Sequence, residues 1–148
     1  MNVRDLLVKP PVTMAADATV EAAANLMDQR AVGAVVIVDD GRPVGIVTDR
    51  DLVVRGMARR IPPDARIDSV MSTGIVAIDA TADVQHAIAV FNHHPFRRLP
   101  VVDGADIVGM VTVDDLVVAI SRALADLTTG VTAQLLFGHA EAKPPVPA

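Results

Sequence analysis

The chain is written twice. Shifting the sequence by 64 residues aligns positions 3–54 with 67–118 without a gap, and 15 of the 52 aligned pairs are identical. Roughly five would match by chance in a chain so rich in Val and Ala. The identities include Val12/Val76, Val20/Val84, Asp39/Asp103, Gly45/Gly109, Thr48/Thr112 and Asp51/Asp115. Two copies are too few for a solenoid. They predict two similar halves related by an approximate two-fold, each completing the core of the other.

Each copy reads as strand, helix, strand, strand, helix. An extended piece (12–14; 75–78) leads to an Asp/Thr helix start at 17–19 or 81–83. Apolar residues then recur at the helical period: Val20, Ala23, Ala24, Met27 and Val84, Ala87, Ile88, Phe91. Runs 33–38 and 99–102 are too continuously apolar for half-exposed strands. Turns rich in Asp and Gly at 39–43 and 103–106 predict hairpins into 44–47 and 107–111. A closing helix follows from about Asp49 or Val113. Residues 59–64 read as a short linker. The pattern weakens past Ala125, where 132–137 reads as a helical turn docking elsewhere and 143–148 as a loose tail.

Composition narrows the function classes. A hydrophobic fraction of 51% with 21% charged residues predicts a packed domain and excludes a disordered chain. The net charge of −5 argues against general nucleic-acid binding. The longest apolar run, 31–38, is far below the ~20 residues of a transmembrane helix. The N-terminus carries Asp5 and no long apolar stretch, so no signal peptide is read and a cytoplasmic location is expected. With no cysteine, disulfides, thiolate zinc sites and Cys nucleophiles are absent. Only Phe91, Phe96 and Phe137 are aromatic, so a planar ligand is expected to lie on aliphatic or proline surfaces. No nucleophile elbow, phosphate loop or dinucleotide fingerprint occurs, and no catalytic residue is assigned.

Two stretches can carry chemistry. The first is Gly45-Ile46-Val47-Thr48-Asp49-Arg50-Asp51 with its copy Gly109-Met110-Val111-Thr112-Val113-Asp114-Asp115. Thr-x-x-Asp is a capping box, which accounts for these residues without a ligand. The same geometry also places free N–H groups where a phosphate can bind, beside a carboxylate suited to ribose hydroxyls. Both readings stand on spacing alone. The second stretch is His93-His94-Pro95-Phe96-Arg97-Arg98-Leu99-Pro100. Arg97, Arg98 and Pro100 align with Gly33, Ala34 and Val36, so the copies differ here. Adjacent guanidinium groups suit phosphate, and equally suit a solvated corner paired with Asp. The two histidines read as a surface loop before Pro95 rather than a metal site.

The doubled strand-helix-strand-strand-helix pattern, closed each time by Gly-hydrophobic-x-Thr-x-x-Asp, resembles a tandem pair of CBS domains (a stand-alone Bateman module) over about residues 3–120. The resemblance implies an α/β (α+β) fold of two pseudo-symmetric repeats. Repeat 1 would cover 3–58 and repeat 2 67–127, joined by a linker at 59–66 and followed by a partly flexible extension at 128–148. It further implies a non-enzymatic sensor whose clefts bind adenosyl ligands: AMP, ADP, ATP or S-adenosylmethionine, as in energy sensing. Matching positions put Thr48, Arg50, Asp51, Arg97, Arg98 and Pro100 in one cleft. Thr112 and Asp115, opposite Gly33, Ala34 and Val36, would form a second and weaker cleft that lacks the cationic pattern. The resemblance also implies a homodimer through the closing helices (Leu116, Val117, Ile120, Leu124, Leu127) and a protein partner that reads the bound state. The alternative is a ligand-free homodimeric scaffold.

Overall fold

The computed structural model describes residues 1–137. It contains two three-stranded sheets of the same design. In the first, β1 (Thr13–Ala15) runs parallel to β2 (Ala34–Asp39), and β2 runs antiparallel to β3 (Arg42–Thr48). In the second, β4 (Ile78–Asp79), β5 (Arg98–Asp103) and β6 (Asp106–Thr112) repeat that order. The 64-residue shift holds at the level of register. Ala34 faces Thr48 as Arg98 faces Thr112, and the register slips at Ile37/Val38 as it does at Val101/Val102. Crossover helices α1 (Val20–Arg30) and α3 (Val84–His93) are capped by Thr19 and Asp83, whose side chains accept from Ala22 N–H and Gln85 N–H.

The two halves exchange their leading segments. Val3 and Leu6, in the 3-10 turn Val3–Leu6, are buried with Ile78, Leu99, Val101 and Val111 of the second repeat. Ile67 and Val70, which follow the linker, are buried with Val35, Ile37 and Val47 of the first. Backbone bonds fix the exchange: Val3 N–H donates to Ala82 O, and Ile67 N–H donates to Ala18 O. Gly45 and Gly109 allow these segments to lie close, because a Cβ at either would overlap the side chain of Met71 or Leu7, themselves 64 positions apart. Each half therefore contains core side chains of the other, and neither core is complete alone.

Four sequence expectations are corrected. The closing helix of the first repeat is α-helical only over α2 (Asp49–Asp51) and continues as a π-helix over Leu52–Met57, with Ala58 N–H donating to Val53 O. In the second repeat the closing helix α4 spans Val113–Phe137 without a break. Residues 132–137 thus extend α4 instead of docking elsewhere. The Thr128-Thr129-Gly130 stretch lowers helix propensity and weakened the pattern, yet both threonine hydroxyls fold back onto Ala125 O at 2.9 Å. Of 75–78 only Ile78 joins the sheet, because Gly74 turns the chain at a φ of +69° and its neighbours wall a cleft instead. His93 is the last residue of α3, its Nδ1 2.7 Å from Ala89 O, and only His94 lies beyond the helix. The expected tail at 143–148 lies outside the described residues.

Candidate functional site

Each Thr-x-x-Asp segment forms the capping box its spacing predicts. Asp51 N–H donates to Thr48 Oγ1 at 3.2 Å, while Asp51 Oδ2 accepts from Thr48 N–H and from Thr48 Oγ1, both at 2.9 Å. Thr112 and Asp115 reproduce this at 3.1, 2.8 and 2.7 Å. The cap uses one carboxylate oxygen. It fixes the side chain and leaves Oδ1 unengaged by the Thr, so capping and a ligand role are compatible in one residue.

Two clefts lie between the repeats. The larger, about 590 Å³, is lined by Thr48, Arg50 and Asp51 from the first repeat and by Arg97, Arg98 and Pro100 from the second. All six residues assigned to it by sequence matching are brought together there. Ile46, Ile75, Val76 and Phe96 supply apolar wall, and Ser72 to Gly74 close one side. The smaller, about 400 Å³, holds Thr112 and Asp115 with Gly33, Ala34 and Arg98. Val36 is fully buried in the core and Pro10, Pro11 and Met110 line this cleft, which corrects the place expected for Val36.

The cations differ in what they touch. Arg97 pairs with Asp114 at 3.2 Å on an exposed surface, the solvated-corner reading of that residue. Arg98 makes no side-chain hydrogen bond and no ion pair among the described residues. Among the described residues there is no cluster of three His, Asp or Glu able to hold a metal ion, and no helix is long and apolar enough to cross a membrane.

Comparison with known proteins decides the family. The CBS domain model matches the chain twice, over residues 3–57 and 67–122. The chain belongs to the CBS domain family. It is 34% identical over 117 residues to the CBS domain-containing protein YhcV of Bacillus subtilis, covering 79% of this chain and 84% of that one. Its fold matches the CBS domain protein PAE2072 from Pyrobaculum aerophilum complexed with AMP, with TM-score 0.72 and 26% identity over 78% of this chain and 89% of that one. It also matches the CBS domain pair of MJ0100 in complex with 5′-methylthioadenosine and S-adenosyl-L-methionine, with TM-score 0.71 and 27% identity over 85% and 97% of the two chains.

Three residues of this CBS pair escaped the sequence reading. Lys9 lines the smaller cleft, so that cleft has a cation of its own; the residue 64 positions on, Thr73, lines the larger one. Phe96 lines the larger cleft, where aliphatic and proline surfaces alone were expected, with His94 stacked on it at 4.9 Å and 12°. Arg55 reaches from the π-helix to Ser72 Oγ at 3.0 Å and ties the Asp51 segment to the cleft wall. The repeat alignment could have flagged Lys9, whose symmetry mate sits in a motif-flanking loop. Nothing local distinguished Arg55 from a solvated helix residue.

Proposed function

We propose that this CBS pair is a non-enzymatic regulatory module that binds an adenosyl ligand of the AMP, ADP, ATP or S-adenosylmethionine class between its repeats. The observation that carries the reading is the composition of the larger cleft. A capped carboxylate, Asp51, stands at a helix start on one repeat, and Arg97 and Arg98 belong to the other. In this reading Asp51 Oδ1 accepts from ribose hydroxyls, Thr48 and Arg50 contact ribose or phosphate, and Arg98 binds phosphate. Pro100, Val76, Ile46 and Phe96 hold the base. Thr112 and Asp115 form a second site of lower affinity. The adenosyl ligands bound by PAE2072 and MJ0100 support the ligand class.

A ligand held by both repeats favours one relative arrangement of them, and a protein partner reads that arrangement. A second copy of the chain is the expected neighbour. Leu116 is buried, but Val117, Ile120, Leu124 and Leu127 remain exposed on α4, and Val53 and Val54 are exposed at the positions equivalent to Val117 and Val118. The closing helices of both repeats thus offer apolar surface that the described residues do not cover.

Thermal unfolding followed by circular dichroism, with and without AMP, ADP, ATP and S-adenosylmethionine, tests the reading. A ligand present at about 100 times its Kd adds about 2.7 kcal/mol, a rise on the order of 8 °C for a chain this size. A rise in the wild type that Asp51→Ala abolishes supports the sensor. No rise with any of the four favours the ligand-free scaffold.

A further inference from the structure

Arg98 belongs to both clefts. Sequence matching gives it to the Asp51 cleft alone, yet it lines the Asp115 cleft as well, beside Gly33, Ala34 and Thr112. Its position at the start of β5 explains this. Its Cα is paired with Thr112, the cap of the opposite site, on the neighbouring strand. Its guanidinium rests against Gly33, where an added Cβ would come within 2.7 Å of Nη2. A side chain at that position would displace the tip of Arg98. At the symmetry-equivalent position stands Ala34, so no second guanidinium occupies this boundary. Arg98 has no hydrogen-bond or ion-pair partner among the described residues, and the carboxylate of Asp49 stands at the same Gly33 position, its Oδ2 2.9 Å from where a Cβ would lie.

We propose that Arg98 is a single phosphate-binding cation shared by the two clefts, so that a phosphorylated nucleotide in one lowers the affinity of the other for a second. The inference rests on the adenosyl-ligand reading and deepens it. A guanidinium is a rigid planar fork that grips one phosphate bidentately. Once turned toward one cleft it is withdrawn from the other, and the bound anion adds repulsion across the shared boundary. The Asp115 cleft is then left with Lys9, while the Asp51 cleft retains Arg50 and Arg97. A ligand with no phosphate makes no claim on Arg98, and its two binding events are independent.

Calorimetric titration of the full chain with AMP and with adenosine tests this. In the wild type, AMP binds in two steps. In Asp51→Ala the remaining cleft binds AMP about tenfold more tightly than the second step of the wild type, because its competitor is gone. Arg98→Met weakens AMP binding in both clefts and abolishes this gain, and adenosine fills the wild type with no interaction between sites. Asp51→Ala also removes a helix cap; should it not fold, Arg98→Met and the adenosine comparison carry the test, since Arg98 takes no part in either cap. A second-step affinity unchanged by Asp51→Ala, or an Arg98→Met effect confined to one cleft, overturns the sharing while leaving the nucleotide reading intact. No AMP binding by the wild type overturns both.

Discussion

Arg55 places its Nε 3.8 Å from Asp51 Oδ1, the carboxylate oxygen that the Thr48 cap does not use. From the same guanidinium, Nη1 donates to Val70 O at 3.3 Å, Met71 O at 3.2 Å and Ser72 Oγ at 3.0 Å. One side chain therefore joins the cap of the first repeat to the segment that carries Val70 into its core. The residue 64 positions on is Ala119, so Asp115 has no such clamp.

Arg55→Ala is expected to cost about 1–2 kcal/mol, because part-buried acceptors lose their donor. Arg55→Lys recovers only part of this, since a single ammonium cannot meet the acceptors of Nη1 and stand beside Asp51 Oδ1 as Nε does. Melting temperatures by circular dichroism check the order wild type, Lys, Ala. An Ala variant as stable as the wild type would show the clamp to be solvated surface.

Thr48→Ala and Thr112→Ala should each lose about 1 kcal/mol, the usual cost of removing an N-cap oxygen. The equal cost follows from the matched bond sets at the two helix starts. Denaturant unfolding of the two variants measures it. A loss at one position only would mean that the two caps are not energetically equivalent.

Much of this architecture was legible in the chain because the repeat supplies two readings of every element. Where the copies agree, as at Thr48/Thr112 and Asp51/Asp115, the expected caps are found. What escaped was nonlocal. No pattern of spacing reveals that Leu52–Met57 widens into a π-helix, or that Arg98 lines both clefts while its alignment partner Ala34 lines only the smaller of them. The exchange of leading segments was foreseen only in outline. That Val3 and Ile67 serve opposite cores depends on which half each segment crosses to, and both crossings bury the same apolar residues. Periodicity reported the faces of α4 but not its length, since the Thr-Thr-Gly stretch resembles a stop signal.

On α4, Val117, Ile120, Leu124, Leu127 and Val131 recur at alternating spacings of three and four and are all exposed, Leu127 to 70%. That spacing suits the seam of a two-helix pairing. Analytical ultracentrifugation at micromolar concentration should show a dimer for the wild type and a monomer for Leu124→Glu/Leu127→Glu. Neither side chain is in the core, so the far-ultraviolet spectrum should not change. A double variant that remains dimeric would place the interface elsewhere.

Asp79 accepts from Thr81 N–H at 2.8 Å and from Thr81 Oγ1 at 2.6 Å, and these bonds hold its carboxyl below the usual carboxylate range, helped by the charge of Arg4. Because the folded value lies below the unfolded one, the stability it contributes is present above the ordinary carboxylate pKa. It is lost as pH falls through the folded value. Thr81→Ala should move the Asp79 titration upward, toward the ordinary carboxylate range, in a carbon-detected NMR titration. An unmoved titration would assign the depression to some other group.

In the proposed complex, Asp51 and Arg98 hold opposite ends of one nucleotide. A crystal structure of the chain with AMP tests it most directly. Ribose hydroxyls are expected on Asp51 Oδ1 with the Thr48 cap retained, and the phosphate on the Arg98 guanidinium. AMP bound with its ribose away from Asp51, or with no AMP phosphate on Arg98, would contradict it.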